Sequence, residues 1–254
     1  MSKKRLYLLT FCLFFTHLFT QAQEEKINKE DWTRIDLTDV LDSVEVGENV
    51  LYVDETWKPI SSIEYIEQYR FVKHEKSLYQ QGDQYAVKLD PLTDPLKLKM
   101  FTENSERFTQ VYELNKKPVP HFELTTIEGK MFTPEELKGK VVVLSFWFIG
   151  CPPCIREMPE LNEIVDKYEG NEEVIFLSYS LDEADNLKAF LKKKTFKFHI
   201  GDKHNDMSAF SVRGYPTNFI IDQHGVVDLI IGGSQVKGVV KQVIEEKLEE
   251  LLTK

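Results

Sequence analysis

The chain has 254 residues, 42% of them hydrophobic and 29% charged, with a formal net charge of -10 and three cysteines. That length is enough for one large folded unit or two small ones; three cysteines are too few for a disulfide-rich scaffold or a four-thiolate zinc module, and 10 Pro with 12 Gly are too few for a collagenous or low-complexity chain. The excess of 42 acidic over 32 basic residues argues against a surface that grips phosphate backbones, so nucleic acid is not an expected partner.

The N-terminus reads as a targeting segment. Lys3, Lys4 and Arg5 precede an apolar run from Leu6 to Phe19, and Thr20-Gln21-Ala22 supplies the small residues of a cleavage site. The run is about fourteen residues long and includes Thr10, Thr16 and His17, short of the roughly 20 apolar residues of a spanning helix. Residues 1–22 are therefore expected to be a secretory signal peptide rather than an anchor. Cys12 lies inside that run, and Thr10-Phe11 before it lack the small residues expected ahead of a lipid-modified cysteine. Cleavage removes three basic residues and no acidic one, moving the net charge from -10 to -13, and leaves two cysteines. The expected mature protein is soluble, periplasmic, and exposed to oxidising conditions.

Residues 23–117 form an irregular N-terminal region. Short alternating runs, Val50-Leu51-Tyr52-Val53 and Gln84-Tyr85-Ala86-Val87-Lys88-Leu89, predict a smaller, β-rich unit rather than long helices. Trp32 and Trp57 are read as core residues in preference to a recognition surface. No motif assigns this region a function.

From Pro118 the pattern alternates strand with helix. Phe122–Thr126 and Lys130–Phe132 flank Glu128-Gly129 as a hairpin, and Thr133-Pro134-Glu135-Glu136 predicts a capped short helix. The continuous apolar run Val141–Trp147 is expected to be a central strand covered on both faces. A helix should follow to about Tyr168, interrupted by a kink at Pro159 and ended by Gly170. Val174–Ser180 predicts a buried strand, Asp182–Lys194 an amphipathic helix with Leu187, Phe190 and Leu191 inward, and Phe198–Ile200 a short strand. A helical turn near Asp206–Phe210 precedes a hairpin of Asn218–Asp222 and Val226–Ile231. The last helix, from about Gln235, carries a stripe of Val236, Val239, Val240, Val243, Ile244, Leu248 and Leu251. Residues 118–254 thus predict a mixed α/β sandwich.

The two remaining cysteines lie at Cys151-Pro152-Pro153-Cys154. A bridge closing so short a loop removes little entropy from the unfolded chain, so chemistry explains the pair better than stabilisation does. Cys151 sits where a strand ends and a helix begins, facing unpaired N–H groups and the positive end of the helix dipole, which favour thiolate. It is the expected nucleophile. Cys154, one turn on and expected to be the more buried, is placed to resolve a mixed disulfide. Glu157, a turn further, is either a proton carrier for the pair or a solvated helix charge.

These residues carry a resemblance. Phe146-Trp147 ahead of the cysteine pair, then Arg156-Glu157-Met158-Pro159, and later Gly214-Tyr215-Pro216-Thr217 with Phe219-Ile220-Ile221-Asp222, resemble the extracytoplasmic thioredoxin-like oxidoreductases of the TlpA/ResA type. The resemblance covers about residues 118–254 and implies a thioredoxin-like fold with a mixed central sheet flanked by helices, and reduction of disulfides in client proteins. It makes Pro216 a cis-proline opposite the disulfide, Glu157 the glutamate that tunes the cysteines, and residues 174–200 the site of the group's strand–helix insertion. Trp147, Pro152, Pro153, Tyr215 and Pro216 become the client-binding groove. Re-reduction by a membrane-bound electron donor is implied, with no small-molecule cofactor and no metal; clients of the family include apocytochrome c and its assembly factors. Ser145 stands where ordinary thioredoxin carries a buried aspartate, which leaves proton handling to Glu157.

Other readings are weaker. His199 and His204 are some forty residues from the cysteines, too far for a zinc-finger spacing. Phe148 occupies the position where a peroxidase of the peroxiredoxin branch carries threonine, and copper chaperones of this fold space their cysteines by three residues. A binding protein using the fold as a platform is a further alternative, against which the intact cysteine pair speaks.

Overall fold

The computed structural model describes residues 27–35, 50–69, 74–99, 110–233 and 237–253. The expected signal peptide lies outside them, as does Val236 of the final apolar stripe.

The N-terminal region forms a five-stranded sheet of β1 (Thr33–Ile35), β2 (Val50–Val53), β3 (Pro59–Ile60), β4 (His74–Gln81) and β5 (Gln84–Pro91), in the order β1-β4-β5-β2-β3. The β4–β5 hairpin turns at Gly82, whose φ of 57° suits a residue without Cβ. The sequence pattern had left out one helix, α1 (Ser62–Tyr69), between β3 and β4. Trp32 is buried, while Trp57 is half-buried, 6.0 Å from the Trp32 ring and edge-on to Tyr79 at 4.7 Å.

The C-terminal half contains a small hairpin of β6 (Leu124–Thr125) and β7 (Met131–Phe132), and a second five-stranded sheet. Its strands are β8 (Val141–Trp147), β9 (Val174–Ser180), β10 (His199–Gly201), β11 (Thr217–Ile221) and β12 (Val227–Gly232), ordered β10-β9-β8-β11-β12. β8 is central, parallel to β9 and antiparallel to β11, and all seven of its residues are buried. That is what this β-branched and aromatic run requires, since six of its seven side chains are apolar and the seventh, Ser145, is itself buried. One face, through Val141, Val143 and Trp147, meets α2 (Pro152–Lys167) and α4 (Val239–Leu252); the other, through Val142, Leu144 and Phe146, meets Phe122, Phe210 and Phe219. A further helix, α3 (Ala184–Leu191), buries Leu187 completely.

Two expected helices differ from the prediction. The Thr133 segment makes its capping box, with Glu136 N donating to Thr133 Oγ1 at 3.3 Å and Thr133 N to the Glu136 carboxylate at 3.1 Å, yet it continues only as turns. Gly139, at φ 81°, donates to Gln223 O at 2.9 Å and turns the chain into β8 before a helix can propagate. The helix predicted over Asp182–Lys194 is shortened at both ends. Asp182 is committed to the loop before Cys151, and Phe190 O accepts from both Lys193 N and Lys194 N, closing the last turn. Helix α2, by contrast, runs through Pro159 to Lys167.

The N-terminal sheet is joined to the C-terminal half through α4. Tyr52, Tyr65, Ile66, Leu78, Val87 and Leu89 belong to the same apolar cluster as Val240, Val243, Ile244 and Leu248. Tyr52 OH donates to Gln242 Oε1 at 3.0 Å, and Ser62 Oγ donates to Glu246 Oε2 at 2.5 Å. Tyr52→Phe deletes one part-buried hydrogen bond at unchanged shape, so a loss of about 1 kcal/mol is expected in denaturant unfolding.

Candidate active site

The strand-to-helix junction is built from short-range chemistry. Cys151 is the N-cap of α2, with extended backbone at φ -99° and ψ 98°. Pro152 and Pro153 fill the first helical positions, where an N–H has no intrahelical partner to lose. The first N–H after the cap is consequently that of Cys154, and it points at Cys151 Sγ from 3.2 Å. The two cysteines are joined in a disulfide with Cα atoms 5.3 Å apart. Both are 3% exposed, so the expected difference in burial between them is absent in this oxidised state.

The loop ahead of Cys151 is pinned from β9. Ile149 N donates to Asp182 Oδ2 at 2.7 Å, Ser180 Oγ donates to the same oxygen at 2.9 Å, and Leu181 N donates to Trp147 O at 3.3 Å. Asp182 was not singled out in the sequence; its signal is an acid two residues past a buried strand that neighbours the cysteine strand.

Trp147 does not join a client groove. It is 1% exposed, donates from Nε1 to Ser178 Oγ at 3.3 Å, and packs between Phe190 and Phe196. It is the last residue of β8 and its side chain faces the same side as Val141 and Val143, which sends the indole into the core. Tyr215 is half-buried, and its ring meets Phe148 edge-on at 5.5 Å. The Tyr215–Pro216 peptide is cis. Beside Tyr215 opens a cavity of about 440 Å³, lined in part by Tyr179, Leu181, His204 and Arg213.

Gly233, following β12, lies against Pro216: its N–H donates to Pro216 O at 3.1 Å, and a Cβ on it would stand 2.7 Å from Pro216 Cδ and 2.8 Å from Cγ. Both atoms belong to a stiff ring, so Gly233→Ala is expected to cost about 1–3 kcal/mol of stability by overpacking and to lower the exchange rate, measured by denaturant unfolding and by a disulfide-reduction assay.

Glu157 is buried on α2, 7% exposed, one turn beyond Cys154. Its Oε1 accepts from Asn218 Nδ2 at 2.5 Å. Burial in apolar surroundings pushes its carboxyl up to about 8; the Asn218 hydrogen bond works against that rise, and the neighbouring Glu160 adds to it. Glu160 is also buried, and accepts from Gly238 N at 3.0 Å, which ties the start of α4 to α2. Behind Glu157 the sheet carries a polar row: Ser178, Ser145 and Asn218 are register neighbours on β9, β8 and β11, each at most 2% exposed. Sequence reading missed Asn218, although a polar residue within Thr217-Asn218-Phe219-Ile220-Ile221 of a central strand was a visible anomaly. His199 instead meets the Phe132 ring, and His204 pairs with Asp202 and Glu183.

A single disulfide closed across the first turn of a helix, at the end of the central strand of this sheet, defines a thioredoxin-like thiol-disulfide oxidoreductase. The AhpC/TSA family model matches residues 116–230. Among curated proteins, the thiol-disulfide oxidoreductase ResA of Bacillus thuringiensis subsp. konkukian is 38% identical over 141 residues, spanning 54% of this chain and 76% of the relative. The thioredoxin-like protein YneN of Bacillus subtilis is 31% identical over 133 residues, spanning 51% of this chain and 76% of its own. The solution structure of a candidate protein disulfide isomerase from Bacteroides thetaiotaomicron superposes with a TM-score of 0.50 at 25% identity, covering 55% of this chain and 91% of that one. The chain belongs to the family of ResA thiol-disulfide oxidoreductases.

Proposed function

We propose that the protein is an extracytoplasmic reductase of client disulfides that works through the Cys151-Pro152-Pro153-Cys154 dithiol. The observation that carries this reading is the Cys151 N-cap with the Cys154 N–H directed at its sulfur, a donor that stabilises a thiolate at Cys151 over one at Cys154. The apolar run at residues 6–19 supports export, and among the described residues no helix is long and apolar enough to cross a membrane.

In the reduced protein, the Cys151 thiolate attacks one sulfur of a client disulfide. A Cys151–client bond forms, the client's bond breaks, and its second sulfur leaves as thiolate. Glu157, ionised, takes the proton of Cys154. The resulting thiolate attacks Cys151 Sγ, closing the internal disulfide and releasing the client's other sulfur, so two electrons have passed from the dithiol to the client. Oxidation thus leaves the proton on Glu157, and burial strengthens that carboxyl's hold on it. A membrane-bound donor reverses the sequence: its thiolate joins Cys151, and Glu157 returns the proton to departing Cys154. Tyr215, Pro216 and the Pro152-Pro153 turn form the surface along which the client's extended backbone lies.

The test is trapping. Cys154→Ser, offered proteins of the exported compartment, is expected to accumulate mixed disulfides on Cys151 that a reductant dissolves. An absence of such adducts, with the variant folded, would sink the proposal.

A further inference from the structure

We infer that Asn218 is the positioning residue for Glu157, its side-chain amide holding the carboxyl in both protonation states by donating through Nδ2 to the ionised form and accepting at Oδ1 from the protonated form. This rests on the proton-carrying reading of Glu157 and deepens it.

The placement is unusual for a structural asparagine. Asn218 is fully buried on β11, between β8 and β12, two residues after Pro216 and in register with Ser145. Its neighbours on the same face of the strand are apolar, and an amide there carries a desolvation cost that only good partners offset. One end has such a partner: Nδ2 lies 2.5 Å from Glu157 Oε1. The other has none, since Oδ1 is buried and makes no hydrogen bond. A buried acceptor left open beside a carboxyl is ordinarily a defect. It becomes useful once that carboxyl gains a proton, because Nδ2 then faces a weaker acceptor, and rotation of the amide by half a turn brings Oδ1 to the new O–H. Donor and acceptor share one pivot, so the exchange moves no backbone.

The electrostatic surroundings leave this task to Asn218. From α2 the charged group facing Glu157 is Glu160, which opposes ionisation; β8 offers the neutral Ser145, and from α4 the Gly238 N–H is engaged by Glu160 and Lys241 by Glu163. Among the described residues the group that favours the charged form of Glu157 is therefore the Asn218 amide. With Asn218 removed, both states lose a partner, but the charged state loses more, since a hydrogen bond to an ionised acceptor is the stronger. The proton should then bind about tenfold more tightly, a rise of about one pH unit in the midpoint.

The experiment is a side-chain NMR titration of the oxidised protein, following Glu157 Cδ and the Asn218 amide, in wild type, Asn218→Leu and Glu157→Gln. In wild type the Asn218 resonances should shift with the same midpoint as Glu157, a readout that needs no variant to fold. In Asn218→Leu the Glu157 midpoint should rise by about one unit. Asn218 resonances that stay flat while Glu157 titrates, or a Glu157 midpoint unmoved in the variant, would overturn the inference. The underlying reading has its own check: the pH profile of Cys154 exchange in the reduced protein should shift in Glu157→Gln, and an unchanged profile there rejects Glu157 as the proton carrier itself.

Discussion

Cys151→Ser is expected to bring disulfide reduction down to the uncatalysed background, whereas Cys154→Ser retains the first step and stops at the mixed disulfide. The difference follows from position, because the two residues are equally buried in the oxidised structure. Serine at 151 keeps a helix cap, since its hydroxyl accepts from the 154 N–H as the sulfur does, so the fold should persist while the nucleophile is lost. A reduction assay on a small disulfide-bonded protein, with the two variants side by side, reads this directly. Full activity in Cys151→Ser would assign the attack to Cys154.

The second large effect concerns stability. The Glu157 carboxyl lies near 8 in the folded chain and near 4.5 in its ordinary environment, so between those values the folded state binds more protons than the unfolded state. Stability therefore falls as pH rises from about 4.5 to about 8 and levels off above, where the carboxyl is ionised in both the folded and the unfolded state. Glu157→Gln keeps the amide contact to Asn218 and carries no charge. It should be more stable than wild type by a few kcal/mol at pH 9, with the advantage shrinking towards pH 5, an order of magnitude set by the size of the shift. Denaturant midpoints of both proteins across that range test it; a constant difference between them would show that the carboxyl is not titrating in the fold.

The two longest strands of the central sheet were legible because each is an apolar run that two-sided burial explains. Val141–Trp147 and Val174–Ser180 appear with the bounds their composition predicts. The cysteine junction was legible for the same reason, a buried strand running into two prolines that can only start a helix. Trp147 was misassigned because its place in a motif says nothing about which face of the strand it occupies, and the alternation with Val141 and Val143 decides that. Asn218 and Asp182 act through partners 61 and 33 residues away, a relation fixed by sheet register and invisible to local pattern. Helix α1 escaped for a different reason: its eight residues mix Ser, Glu and Gln with four hydrophobic positions, too short a stretch for a helical period to stand out.

The hydrogen bond from Gly238 N to Glu160 links the helix that packs on the N-terminal sheet to the helix that carries Cys154. Helix α4 is gripped at its flank by Tyr52 of the N-terminal sheet and Ser62 of α1, and at its start by an acid one turn from Glu157. The N-terminal half and the helix that carries Cys154 thus share one support, α4, which is held from both sides.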